Sequence, residues 1–193
     1  MISTMPLLTG LSMVMLCIAL LTILLPMNRL PLAARMIVLT GIALLMMLPL
    51  FDYPGWYKVR GLFGDSSITA LLFYSAVILQ QNFSRQLYRR EELVLLRRLV
   101  LLTAMLLYPF ALGLTQFDSY SLGYANPWML AMLLILTLFC WFRQYYFLAT
   151  IITVAVIAGS LQLLESRNLW DYLIDPAFVL IMMLTWFRPS ITK

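Results

Sequence analysis

The chain has no histidine. That absence removes the commonest metal ligand together with the commonest general base, and with them bis-histidine haem sites and Ser-His-Asp chemistry. Cysteine is nearly as scarce: Cys17 and Cys140 are the only two, each inside an apolar run, so neither a disulfide framework nor a metal site is expected. Charge is scarce as well. Only 11% of the 193 residues are charged, against about 25% in soluble domains, and none falls in the middle of an apolar run. Ionisable residues within membrane segments usually mark ion pathways and proton relays, so this pattern argues against an ion-coupled transporter or pump. The HExxH, GxSG, Walker, CxxC and paired DxxD patterns are missing too, and no internal repeat suggests an inverted-repeat transporter. No cofactor is expected.

What the chain has in excess is apolar residues, at 63% of the sequence with a mean hydropathy of +0.94. Backbone inside a bilayer must satisfy its own hydrogen bonds, so long continuous apolar runs imply membrane-spanning helices. The runs lack the in/out alternation of a transmembrane barrel. The expected fold class is therefore all-α, a polytopic helical membrane protein forming a single integral domain over residues 1–193. The runs are Leu7 to Pro26, Met36 to Phe51, Ser66 to Gln81, Leu99 to Thr115, Pro127 to Trp141, Phe147 to Leu164 and Ala177 to Phe187. No Lys or Arg precedes the first, so it reads as a mature helix rather than a secretory signal.

The orientation follows from the one dense charge run, the connector 82–98. It carries Arg85, Arg89, Arg90, Arg97 and Arg98 with Glu91 and Glu92, and the positive-inside rule places it in the cytoplasm. Its expected contacts are anionic lipid headgroups or an acidic partner; nucleic acid is not expected, because the basic residues sit in short connectors beside apolar segments. Counting outward from it, the cytoplasmic side receives ten basic residues and two acids, and the other side three basic residues and six acids. This predicts seven helices with the N-terminus outside and the C-terminus inside. The last run strains the scheme, since eleven residues reach only about 16 Å against a hydrocarbon core of about 30 Å. Six helices with a short re-entrant C-terminal segment are the alternative.

The outer connectors hold what chemistry there is. Asp65, Asn126 and Asp175 stand where helices begin and read as N-caps. Beyond these, Lys58, Arg60 and Arg167 are the only cations of that side, and with Asp52, Asp118, Trp170 and Asp171 they form the candidate set for an anionic ligand or a protein partner. The plainer reading pairs Arg60 with Asp52 or Asp65, and Arg167 with Glu165 or Asp171, simply to hold loops together. The absence of a catalytic constellation favours a non-catalytic integral subunit or accessory factor of a cell-envelope system in a bacterial inner membrane, partnered by lipid and by another membrane protein or a second copy. The alternative is an enzyme or flippase for a lipid-linked anionic substrate at the outer leaflet.

Overall fold

The computed structural model describes residues 5–25, 27–50, 52–83, 86–113, 118–124 and 126–187. Within them the chain is all-α: α1 (Met5–Leu24), α2 (Leu32–Met47), α3 (Gly55–Phe63), α4 (Ile68–Phe83), α5 (Arg90–Ala111), α6 (Pro127–Phe142), α7 (Tyr146–Ser160), α8 (Trp170–Leu173) and α9 (Pro176–Trp186). The exception is a pair of two-residue strands, β1 (Pro49–Leu50) and β2 (Tyr53–Pro54), antiparallel with Leu50 opposite Tyr53. Asp52 sits in the turn between them at φ 72°, a left-handed conformation that Asp tolerates better than most residues.

The connector expected over 82–98 is largely helical, because α5 begins at Arg90. Its buried side chains Leu93, Leu96, Val100, Ala104 and Leu107 recur every three or four residues, so the apolar stripe continues back through the charged segment. Glu91 and Glu92 occupy the first turn, where the helix dipole favours carboxylates. At 22 residues, α5 is the one helix among those described that is long and apolar enough by itself to cross a membrane; α2, α4, α6 and α7 are apolar but shorter.

The core lies around α4, whose Phe73, Tyr74 and Val77 have no exposed surface. α1 packs on one side of α4 and α7 on the other; α6 lies against α7, and α9 against α5. The small residues Ala155 and Gly159 allow a close approach, as their spacing suggests, and the approaching element is α8. A side chain at Gly159 would stand 2.9 Å from Leu169, just ahead of that helix.

The connectors gather into two groups. In one, Arg89 donates to the carbonyls of Arg143 and Gln144, and Arg35 donates to the carbonyl of Gln81. Arg97 donates to the Thr185 carbonyl and stacks over the Trp186 ring at 4.8 Å, which ties the end of α9 to the first half of α5. Arg90 and Arg98 are exposed. Arg85, Arg188 and Lys193 lie outside the described residues. The other group contains Asp65, Glu165, Asp171 and Asp175, and α9 starts there.

The surface is strongly apolar. α6 exposes Trp128, Ile135 and Phe142 to 80%, 69% and 79%, while Ser67, Asn168 and Asp175 are buried.

Candidate functional site

The acidic end is built by the segments leading into α4, α6 and α9. Asn126 accepts a hydrogen bond from Trp128 N at 2.9 Å and Asp175 from Phe178 N at 2.8 Å, so both act as the N-caps their sequence context suggests, each followed by proline. Asp65 does not cap. The hydroxyl of Ser67 takes that role for α4, accepting from Ala70 N at 3.2 Å, and Asp65 is held instead by Arg60. The pairing is bidentate, with Nε–Oδ1 at 2.7 Å and Nη2–Oδ2 at 3.0 Å, and Arg60 Nη2 also stands 3.4 Å from Glu165 Oε1. The bond to Asp65 raises the Arg60 pKa, so the guanidinium remains charged.

A second cluster interlocks two loops about fifty residues apart in sequence. The loop 118–124 carries a 3-10 turn, Tyr120–Gly123, capped by Asp118 Oδ1, which accepts from Tyr120 N and Ser121 N at 3.0 and 3.2 Å. Against it lies the segment 166–171. Asn168, fully buried, donates to the Tyr120 carbonyl at 2.8 Å and accepts from Trp170 N at 2.9 Å. Trp170 Nε1 donates to the Ser119 carbonyl at 3.1 Å, and Tyr120 Oη donates to Asp171 Oδ2 at 2.7 Å. Burial first, and the bond to Asp171 second, hold the Tyr120 phenol above its ordinary pKa, so it stays a donor. Gly123 makes the fit possible: a side chain there would stand 1.7 Å from Asn168 Oδ1.

The candidate set therefore divides. Arg60 belongs to the Asp65–Glu165 cluster, and Trp170 and Asp171 to the interlocked loops. Asp52 and Asp118 serve turns, and no described hydrogen bond or ion pair joins either of them to Arg60, Arg167 or Asp171. Lys58 lies on the exposed side of α3, and Arg167 is exposed in its loop. Of the pairings considered for Arg60, the one with Asp65 forms; neither of those considered for Arg167 does, because Glu165 faces Arg60 and Asp171 faces Tyr120.

Between the clusters is a pocket of about 410 Å3, whose lining includes Asp65, Tyr108, Tyr120, Asp171 and Asp175 and has no Lys or Arg. Asp175 is the most constrained of these acids. Burial holds its carboxyl above the ordinary range, opposed by the donors of Ser67 and Phe178. Ser67 and Asn168 were hidden from sequence reasoning, since their partners are remote; the clue available was polar residues flanking predicted helix starts. Among the described residues no cluster of potential metal ligands is found. No protein-family model, curated protein or solved structure matches the chain.

Proposed function

We propose that this chain is a seven-span protein of a bacterial inner membrane, N-terminus outside and C-terminus cytoplasmic, that serves as a non-catalytic subunit or accessory factor of a cell-envelope system. The observation that carries the reading is the use made of the outer charges: Arg60 is engaged by Asp65, Asp171 by Tyr120, and Asp175 by Ser67 and Phe178. Groups so engaged hold three connectors in a preformed platform. They are poorly placed to bind and turn over a substrate.

Immersion in lipid is supported by the large apolar side chains left exposed along α2 and α6, among them Ile37, Leu44, Trp128, Ile135 and Phe142, where a water-facing monomer rarely presents contiguous apolar surface on this scale. The shorter helices span about 24 Å at most, less than a hydrocarbon core of about 30 Å, a mismatch that local thinning and snorkelling arginines accommodate. For α9 a crossing is favoured over re-entry, because Asp175 at its start belongs to the acidic cluster and Trp186 at its end to Arg97. The rival enzyme or flippase for an anionic substrate is disfavoured, since an anion entering the pocket would meet three aspartates and no cation in the lining.

Cross-linking in cells, mild-detergent extraction and mass spectrometry test the accessory role. A stoichiometric membrane partner or a defined homo-oligomer is the expected result. A chain that always runs alone contradicts the role.

A further inference from the structure

α5 meets the ends of two other helices at different depths. Arg89, at its start, donates to the carbonyls of Arg143 and Gln144 in the turn between α6 and α7. Arg97, eight residues or about 12 Å further along, donates to the Thr185 carbonyl and stacks over Trp186 where α9 ends. α9 therefore stops about 12 Å short of the level of that turn.

Beside Arg97 stands Arg98, exposed, and the two have no counter-ion in the chain. All eight Asp and Glu residues of the sequence are among those described, and none forms an ion pair with either arginine. Glu91 is two turns back along α5, roughly 10 Å away, and Glu92 is only 3% exposed. Residues 188–193 bring Arg188 and Lys193 and no acid. The carbonyl end of α9 offers about half a negative charge against two full positive ones. The Arg97 guanidinium is also under-used: Nη1 makes one bond of 3.5 Å, and Nε is buried without an acceptor. Unmatched charge beside hydrocarbon is costly, so the pair calls for an anion.

We infer that Arg97 and Arg98 bind the phosphate of an anionic phospholipid in the leaflet at the arginine end, beside the end of α9. This deepens the membrane reading given above and rests on it.

The length of α9 brings the headgroup to the arginines. Its eleven residues rise about 16 Å, so for α9 to cross, the headgroup layer must dip to meet Trp186, and snorkelling guanidinium groups shorten the remaining distance. A guanidinium fork takes a phosphate or a carboxylate, so charge alone does not choose the ligand. The apolar side chains beyond the cations do. Three and seven residues on from Arg98, on the same face of α5, Leu101 is half-buried and Met105 is 71% exposed. Cations followed by an apolar ridge running towards the middle of the bilayer match the order of head and chain in a phospholipid. An acidic side chain on a partner helix would itself have to be buried in hydrocarbon. A zwitterionic lipid carries its own cation to a site that already holds two, which favours a lipid of net negative charge.

The full chain, purified in mild detergent and stripped of lipid, is titrated with phosphatidylglycerol or with phosphatidylcholine of the same acyl chains, and bound lipid is counted by native mass spectrometry. The first phosphatidylglycerol should bind about tenfold more tightly than the first phosphatidylcholine. Arg98→Gln, at an exposed side chain with no described hydrogen bond or ion pair to lose, should reduce that preference about threefold. Arg97→Gln combined with Arg98→Gln should erase it. Arg90→Gln combined with Arg143→Gln removes two exposed charges from the same end and should leave it within about twofold. Glycerophosphoglycerol, the headgroup without its chains, should not compete. Equal binding of the two lipids, or equal losses in the two double variants, overturns the inference, the second because it would mean diffuse attraction rather than a site. Displacement by glycerophosphoglycerol, or cross-linking of position 98 in cells to an acidic membrane protein in place of lipid, overturns it as well. All these results leave the membrane reading intact, whereas release of the chain from native membranes by alkaline carbonate overturns both.

Discussion

Asp175 Oδ2 accepts hydrogen bonds from both the backbone N–H and the hydroxyl of Ser67, each at 2.8 Å, across a sequence separation of 108 residues. The other carboxylate oxygen caps α9 through Phe178 N. One side chain thus fixes the start of α9 to the start of α4, and the acidic pocket has this joint as part of its wall.

Asp175→Ala removes a cap and leaves the Ser67 N–H without its acceptor, which should cost about 2–4 kcal/mol in thermal or denaturant unfolding in detergent. Asp175→Asn should cost less, since its amide oxygen can still cap Phe178. The pH response separates the two charge states. A carboxyl whose folded pKa is raised binds its proton more tightly in the folded state, so its contribution is most favourable below the unfolded pKa of about 3.9 and is lost as pH rises through the folded value. Wild-type stability should therefore fall over that window relative to Asp175→Asn. Parallel pH curves would show that the buried carboxyl is not perturbed as described.

Gly123→Ala should destabilise the chain by about 1–3 kcal/mol, because the added methyl collides with a fully buried Asn168 that has little room to withdraw. Adding Asn168→Ala should relieve part of that cost. A double-mutant cycle with no coupling would mean that the two loops are not interlocked as described.

The Arg60–Asp65 pair, though bidentate, has side chains 27% and 32% exposed, so a double-mutant cycle should give a coupling of only about 0.5–1 kcal/mol that shrinks with salt. Arg60→Ala should accordingly leave the protein folded and its partner or oligomer retained. Loss of assembly with the protein still abundant would instead restore Arg60 as a recognition residue.

What could be read from the sequence was whatever depends on local context. Apolar run length gave the helices, and charge asymmetry separated the connectors into the groups that Arg89 with Gln144 and Tyr120 with Asp171 now join. Proline after Asn126 and Asp175 marked two true caps. Asp65 was misplaced because an arginine five residues upstream competes for it and Ser67 can cap in its stead. The segment from Asp52 to Asp65 lies between two apolar runs and so counts as a connector, yet most of it is α3. Its Trp56, Val59 and Phe63 pack on the core, and glycines at both ends masked the periodicity. Asn168 with Tyr120 and Ser67 with Asp175 could not be read at all. A buried polar pair separated by 48 or 108 residues leaves no mark in either segment.

The central claim is that the acidic and arginine ends lie on opposite sides of a membrane, and single-cysteine accessibility measures it most directly. In a background with Cys17 and Cys140 replaced by Ala, cysteines at Ser121 and Arg167 report on the acidic end, and those at Gln86 and Gln144 on the other; all four positions are exposed. With a membrane-impermeant maleimide on intact spheroplasts, the account predicts labelling at Ser121 and Arg167, and protection of Gln86 and Gln144 until the membrane is permeabilised. Labelling of all four alike, or of Gln86 and Gln144 alone, would contradict it.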